Sequence, residues 1–95
     1  MTLPIPQADD LLRRCEEYRG KTLSLVELRV ATGEAAAAAE GKLRERLAET
    51  TANFDAISKS AEPDSDEEHR KADPAAAEVG KALRKYIAEA EAKAV

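Results

Sequence analysis

Few side chains in this sequence can do chemistry: one cysteine, Cys15, one histidine, His69, and 19 carboxylates set against 15 basic groups. A nucleophilic cysteine needs a base that draws off its proton, and His69 lies 54 residues from Cys15 in an acidic stretch. Leu11, Leu12, Cys15 and Tyr18 recur at three- and four-residue steps, so Cys15 reads as a small apolar member of a helix stripe. No glycine-rich phosphate loop, nucleophile elbow or His/Cys cluster at metal spacing is present. Asp64-Ser65-Asp66 with Glu67-Glu68 faintly resembles a calcium loop, but it lacks the turn glycine, and Ala75 stands where the twelfth-position glutamate belongs. The expectation is a protein that is not an enzyme and holds no metal or cofactor.

What remains is a run of carboxylates. Glu62, Asp64, Asp66, Glu67 and Glu68 fall within seven residues, and Asp73 continues the series. Residues 1–61 carry 10 acids and 9 bases, whereas residues 62–95 carry 9 acids and 6 bases, so most of the net charge of −4 arises here. One reading is a solvated loop that keeps a small protein soluble. The other is a docking cluster that steers a basic partner and occupies sites built for phosphates.

The elements that position this run must come from a 95-residue chain, enough for one small domain. Of its 41 hydrophobic residues 20 are alanine, and only 17 are Leu, Ile, Val or Phe, which predicts a thin core. One Phe, two Tyr and no Trp exclude an aromatic platform for single-stranded nucleic acid. The acidic balance argues against direct phosphate binding, and no apolar run reaches the roughly 18 residues needed to span a bilayer. Met1–Gln7 has neither the basic nor the apolar region of an export peptide, and a lone cysteine suits a reducing compartment, so the expected location is cytoplasmic.

Periodicity predicts one helical domain over 1–95, an all-α, small antiparallel four-helix bundle. Thr2–Pro6 carries two prolines and is expected to be extended, with a first helix over Gln7–Arg19. Asp9 and Asp10 would occupy its first turn, and Gly20 a left-handed cap at its end. Ser24-Leu25-Val26-Glu27 is a capping box that opens the second helix. Gly33 falls inside that helix, which predicts a close helix approach there. A turn near Glu40–Lys42, rather than one kinked rod, separates it from a third helix over Lys42–Ser60. Glu62–Ala72 is expected to be an acidic loop, with His69 exposed. Asp73-Pro74 would then cap the fourth helix, and Glu89–Val95 would fray.

Two segments of this pattern resemble the bacterial self-protective, colicin-like immunity proteins of the colicin D type. The first is Tyr18-Arg-Gly-Lys-Thr-Leu23-Ser24-Leu-Val-Glu27-Leu28, a helix end, turn and capped helix start at the family's spacing. The second is Glu62-Pro63-Asp64-Ser-Asp66, followed by Asp73, Glu78-Val79, Leu83 and Lys85. With their flanking helices these cover roughly half the chain, and the Ala-rich stretch 31–51 departs from the pattern. The resemblance implies a bundle that binds and inhibits the catalytic domain of a cognate toxin, a nuclease that cuts transfer RNA. It implies carboxylates that mimic RNA phosphates in the toxin's basic cleft. On that basis Glu62, Asp64 and Asp66 match the acidic motif, while Glu67, Glu68 and Asp73 join them from the charge argument alone. The implied partner is the toxin domain, with no direct nucleic-acid contact, no membrane, and a monomer or weak dimer when free.

Two other readings compete. One is a small structural or adaptor protein, such as a phage or assembly component, that self-associates through Ala-rich helix faces. The other is an antitoxin that regulates transcription, which needs a basic surface beyond Arg13-Arg14 and Arg44/Arg46.

Overall fold

A computed structural model describes residues 3–94 of the chain, and among them four helices and no strand are found. The first, α1, spans Ile5–Arg19, two residues earlier than periodicity predicts. Pro4 is its N-cap and Pro6 lies in its first turn, where a missing N–H is no loss. Of the extended segment expected over 2–6, Leu3 and Pro4 precede the helix and Pro4 is extended, Ile5 and Pro6 are helical, and Thr2 lies outside the described residues. Asp9 and Asp10 consequently fall in the second turn. There Asp10 accepts hydrogen bonds from Arg13 and, at 2.8 Å, from Arg14.

The close of α1 also differs from expectation. Gly20 has φ −82°, and Lys21 takes the left-handed conformation at φ 65°. The Lys21 amide donates to the Tyr18 carbonyl at 2.9 Å, and the Thr22 amide to the Glu17 carbonyl at 2.8 Å. These are the paired bonds of a Schellman motif, in which the residue after the C-cap, not the cap itself, turns left-handed.

Helix α2, Leu25–Ala38, opens with the predicted capping box. The Glu27 amide donates to Ser24 Oγ at 3.3 Å, and the Ser24 amide to the Glu27 carboxylate at 3.5 Å. Ala39 and Glu40 are extended and Gly41 is left-handed at φ 63°, so α2 and α3 (Gly41–Ser60) are separate helices. A methyl group built on Gly33 would meet Thr51 Cγ2 at 3.5 Å, ordinary contact. The α2/α3 approach is thus close but does not require glycine.

The largest departure is α4, which runs from Asp66 to Ala94 and absorbs most of the expected acidic loop. Asp73 and Pro74 lie inside it rather than at its start. An interior proline costs about 3 kcal/mol. Burial of Ala72 and Ala76 on either side, continued by Val79 and Leu83, offsets that cost, while Pro74 itself faces solvent. The expected frayed end is helical to Ala94, with Glu89, Glu91 and Lys93 exposed, and Val95 lies outside the described residues.

Each helix packs antiparallel to its chain neighbour, and α4 closes the ring against α1. The pairing of α1 with α4 is read from Arg19 with Asp73, Leu12 beside Gly80, and Tyr86 Oη donating to the Leu3 carbonyl at 2.7 Å. The core holds Leu3, Leu11, Leu25, Leu28, Leu47 and Phe54 with Val79 and Leu83, and the alanines Ala8, Ala35, Ala72 and Ala76 fill between them. The result is a rod of 45 × 22 × 16 Å. Among the described residues no helix is long and apolar enough to cross a membrane.

Candidate functional site

At one end of this rod the α1–α2 turn meets the α3–α4 turn. The second turn is short. Asp64 is left-handed at φ 60°, the Ser65 amide donates to the Glu62 carbonyl at 3.2 Å, and Ser65 then caps α4. Its Oγ accepts from the Glu68 amide at 3.1 Å while donating to the Glu62 carbonyl at 2.7 Å. Ser65-Asp66-Glu67-Glu68 is therefore a second helix start of the S-x-x-E type. That signal was present in the sequence and was masked by the stronger punctuation of Asp73-Pro74.

Between the two turns lies a cleft of about 140 Å³, lined by Tyr18, Lys21 and Leu23 from the first and by Asp64, Ser65, Asp66, Glu68 and His69 from the second. The six carboxylates singled out in the sequence divide around it. Asp64, Asp66 and Glu68 line the cleft. Asp66 stands at its rim, fully in solvent, with Lys21 Nζ at 3.6 Å. Glu62 is exposed outside it. Glu67 pairs with Lys71 one turn along α4, and Asp73 takes a 3.0 Å hydrogen bond from Arg19. The acidic run is thus a rim and a floor, not one loop.

Glu68 is the floor. Only 4% of it is exposed, and no ion pair joins it to any described residue. Burial pushes its carboxyl above the ordinary range, the neighbouring Asp64 charge adds to this, and the Asp64 backbone amide opposes it. Beside it Tyr18, 2% exposed, has a buried hydroxyl with no hydrogen-bond partner among the described residues. The hydroxyl lies beside the Glu68 carboxylate, close enough for each to shift the other's proton affinity, but without the geometry of a full hydrogen bond. Burial first, and the charges of Glu68, Asp73 and Asp64 after it, push its pKa up to about 12.

His69, expected to be exposed, is half-buried on the first turn of α4. Its ring stacks on Tyr18 with centroids 5.2 Å apart and planes at 27°. Nε2 lies 3.2 Å from the Tyr18 carbonyl, and because a carbonyl only accepts, Nε2 carries the proton. Sequence reasoning missed Tyr18, Lys21, Leu23, Ser65 and His69 as site residues, because their meeting depends on how the two turns pack.

Elsewhere the chemistry is quiet. Cys15 is buried on the α1 stripe, and burial pushes its thiol up to about 12, away from a reactive thiolate. No group of three or more His, Cys, Asp or Glu among the described residues is arranged to hold a metal ion. Arg13 and Arg14 are engaged by Asp10, whereas Lys42, Arg46 and Lys85 come together with Glu89 in a groove at the other end of the rod. No family model, curated protein or solved structure matches this chain.

Proposed function

We propose that this protein is an immunity protein that binds the catalytic domain of a bacterial toxin nuclease and inhibits it with the acidic end of the bundle. The carrying observation is the placement of Asp64, Asp66 and Glu68 around one cleft, with Glu62 beside it and Lys21 as the single lysine or arginine in its lining. A nuclease cleft is built to attract phosphates, so a set of carboxylates on a bundle end is complementary to it in sign. The resemblance of Tyr18–Leu28 and Glu62–Asp66 to the colicin D type supports the same reading, since these segments form the two walls of the cleft. The protein acts by occupying the toxin's site rather than by catalysis.

Self-association through alanine faces has less support, because Ala35, Ala36 and Ala39 are buried within the chain's own core. Immunity genes adjoin their toxin genes, which supplies the test. The protein should co-purify with the C-terminal domain of the adjoining gene's product and abolish its cleavage of transfer RNA. Failure to form that complex at low salt would refute the proposal.

A further inference from the structure

The Tyr18–Glu68 cleft holds two polar groups that folding answers only in part: a carboxylate that is 4% exposed, opposed by the Asp64 backbone amide but with no ion-pair partner, and beside it a hydroxyl in a 2% exposed residue with no well-formed hydrogen bond. A buried carboxylate of this kind is costly unless something pairs with it. We propose that the cleft is a guanidinium pocket, which receives one arginine side chain of the partner protein. This rests on the immunity reading for the identity of the partner and adds the chemistry of its anchoring side chain.

Three features favour guanidinium over ammonium. The Glu68 carboxylate offers acceptor oxygen to a planar fork, and the Tyr18 hydroxyl, itself closed off from solvent, lies beside it. The half-buried His69 ring, stacked on Tyr18, lines the same cleft and adds an aromatic surface on which guanidinium packs well. Leu23 supplies apolar contact for a methylene stem, which serves either side chain. Guanidinium is also more weakly hydrated than ammonium, so it gives up less on approaching a carboxylate this buried. Lys21 does not fill the role itself, because its ammonium lies out at the rim beside Asp66 with 64% of the side chain exposed.

The test uses the whole folded chain and N-acetyl-arginine amide, followed by NMR. Saturable shifts are expected at Ser65, Glu68, His69 and the Tyr18 ring, with the lysine analogue about tenfold weaker and urea, the neutral isostere of guanidinium, giving none. Glu68→Gln should weaken the arginine probe about tenfold, and Tyr18→Phe about threefold. Should Glu68→Gln fail to fold by circular dichroism, Tyr18→Phe decides. Absent or non-saturable shifts, equal binding of the lysine analogue, or affinity unchanged in the variants would overturn the inference. The two proposals fail separately. A toxin complex indifferent to Glu68→Gln removes the pocket but keeps the immunity reading. Arginine binding without any toxin complex does the reverse.

Discussion

The two turns that meet at the acidic end use the same parts with different outcomes. Each has a left-handed non-glycine residue, Lys21 or Asp64, then a serine N-cap, Ser24 or Ser65, then a glutamate three places on, Glu27 or Glu68. In the first, every part is consumed by folding. Glu27 is exposed and its carboxylate closes the capping box. In the second, the glutamate is drawn into the bundle and faces a tyrosine hydroxyl that has no partner. The second turn thus carries a buried carboxylate without an ion pair where the first carries an exposed one, a difference that helix capping alone does not require.

The largest effect should come from removing the ring that joins the two turns. Tyr18→Ala should destabilise the fold by about 3–5 kcal/mol, as truncation of buried aromatics does, measured by urea unfolding. Next come the caps. Ser24→Ala and Ser65→Ala should each cost about 0.5–2 kcal/mol. The Ser65 variant should be the costlier, because its Oγ both accepts from α4 and donates to Glu62, whereas Ser24 Oγ only accepts, at 3.3 Å. Equal losses would remove the distinction between the turns.

The tyrosines sharpen the contrast further. Tyr86→Phe deletes a 2.7 Å hydrogen bond to the Leu3 carbonyl and should cost about 1 kcal/mol. Tyr18→Phe deletes a hydroxyl with no well-formed hydrogen bond and should leave stability within about 0.5 kcal/mol of the parent. A Tyr18→Phe loss as large as that of Tyr86→Phe would mean the hydroxyl is satisfied after all.

The smallest expected effects lie in pH dependence, where two carboxylates act with opposite sign. Burial raises Glu68 in the folded state, so its contribution is fully present below the ordinary value of 4.5 and is lost as pH rises through the folded value. Hydrogen bonds from Arg14 and then Arg13 lower Asp10, so its contribution is present above 3.8 and is lost as pH falls through the depressed value. Glu68→Gln should therefore flatten the decline in urea midpoint from acid toward neutral pH, and Asp10→Asn should flatten the acid limb.

The same comparison explains which features could be read from the sequence. The four apolar stripes, the separate α2 and α3 and the Ser24 box are local signals, and they appear where periodicity and capping chemistry place them. The start of α4 is just as local in kind, yet Asp73-Pro74 also has the form of a helix start and Glu62–Ala72 lacks a bulky hydrophobe. The buried stripe of α4 begins Glu68, Ala72, Ala76, Val79, Leu83, so its first member is a glutamate where an apolar residue is expected. The residue that hid the helix is the one that marks the cleft. The acidic motif was legible as composition, but its division into rim and floor depends on α1 packing against α4.

The central claim is tested most directly by isothermal titration of the toxin's catalytic domain with this protein and with the combined variant Glu62→Lys, Asp64→Lys, Asp66→Lys. All three side chains are exposed, so the variant should keep the helical spectrum of the parent. The account predicts that the parent binds, with affinity falling as salt rises, and that the reversal costs several kcal/mol, on the order of a hundredfold or more. Equal affinity of the two proteins, or an affinity insensitive to salt, would contradict it.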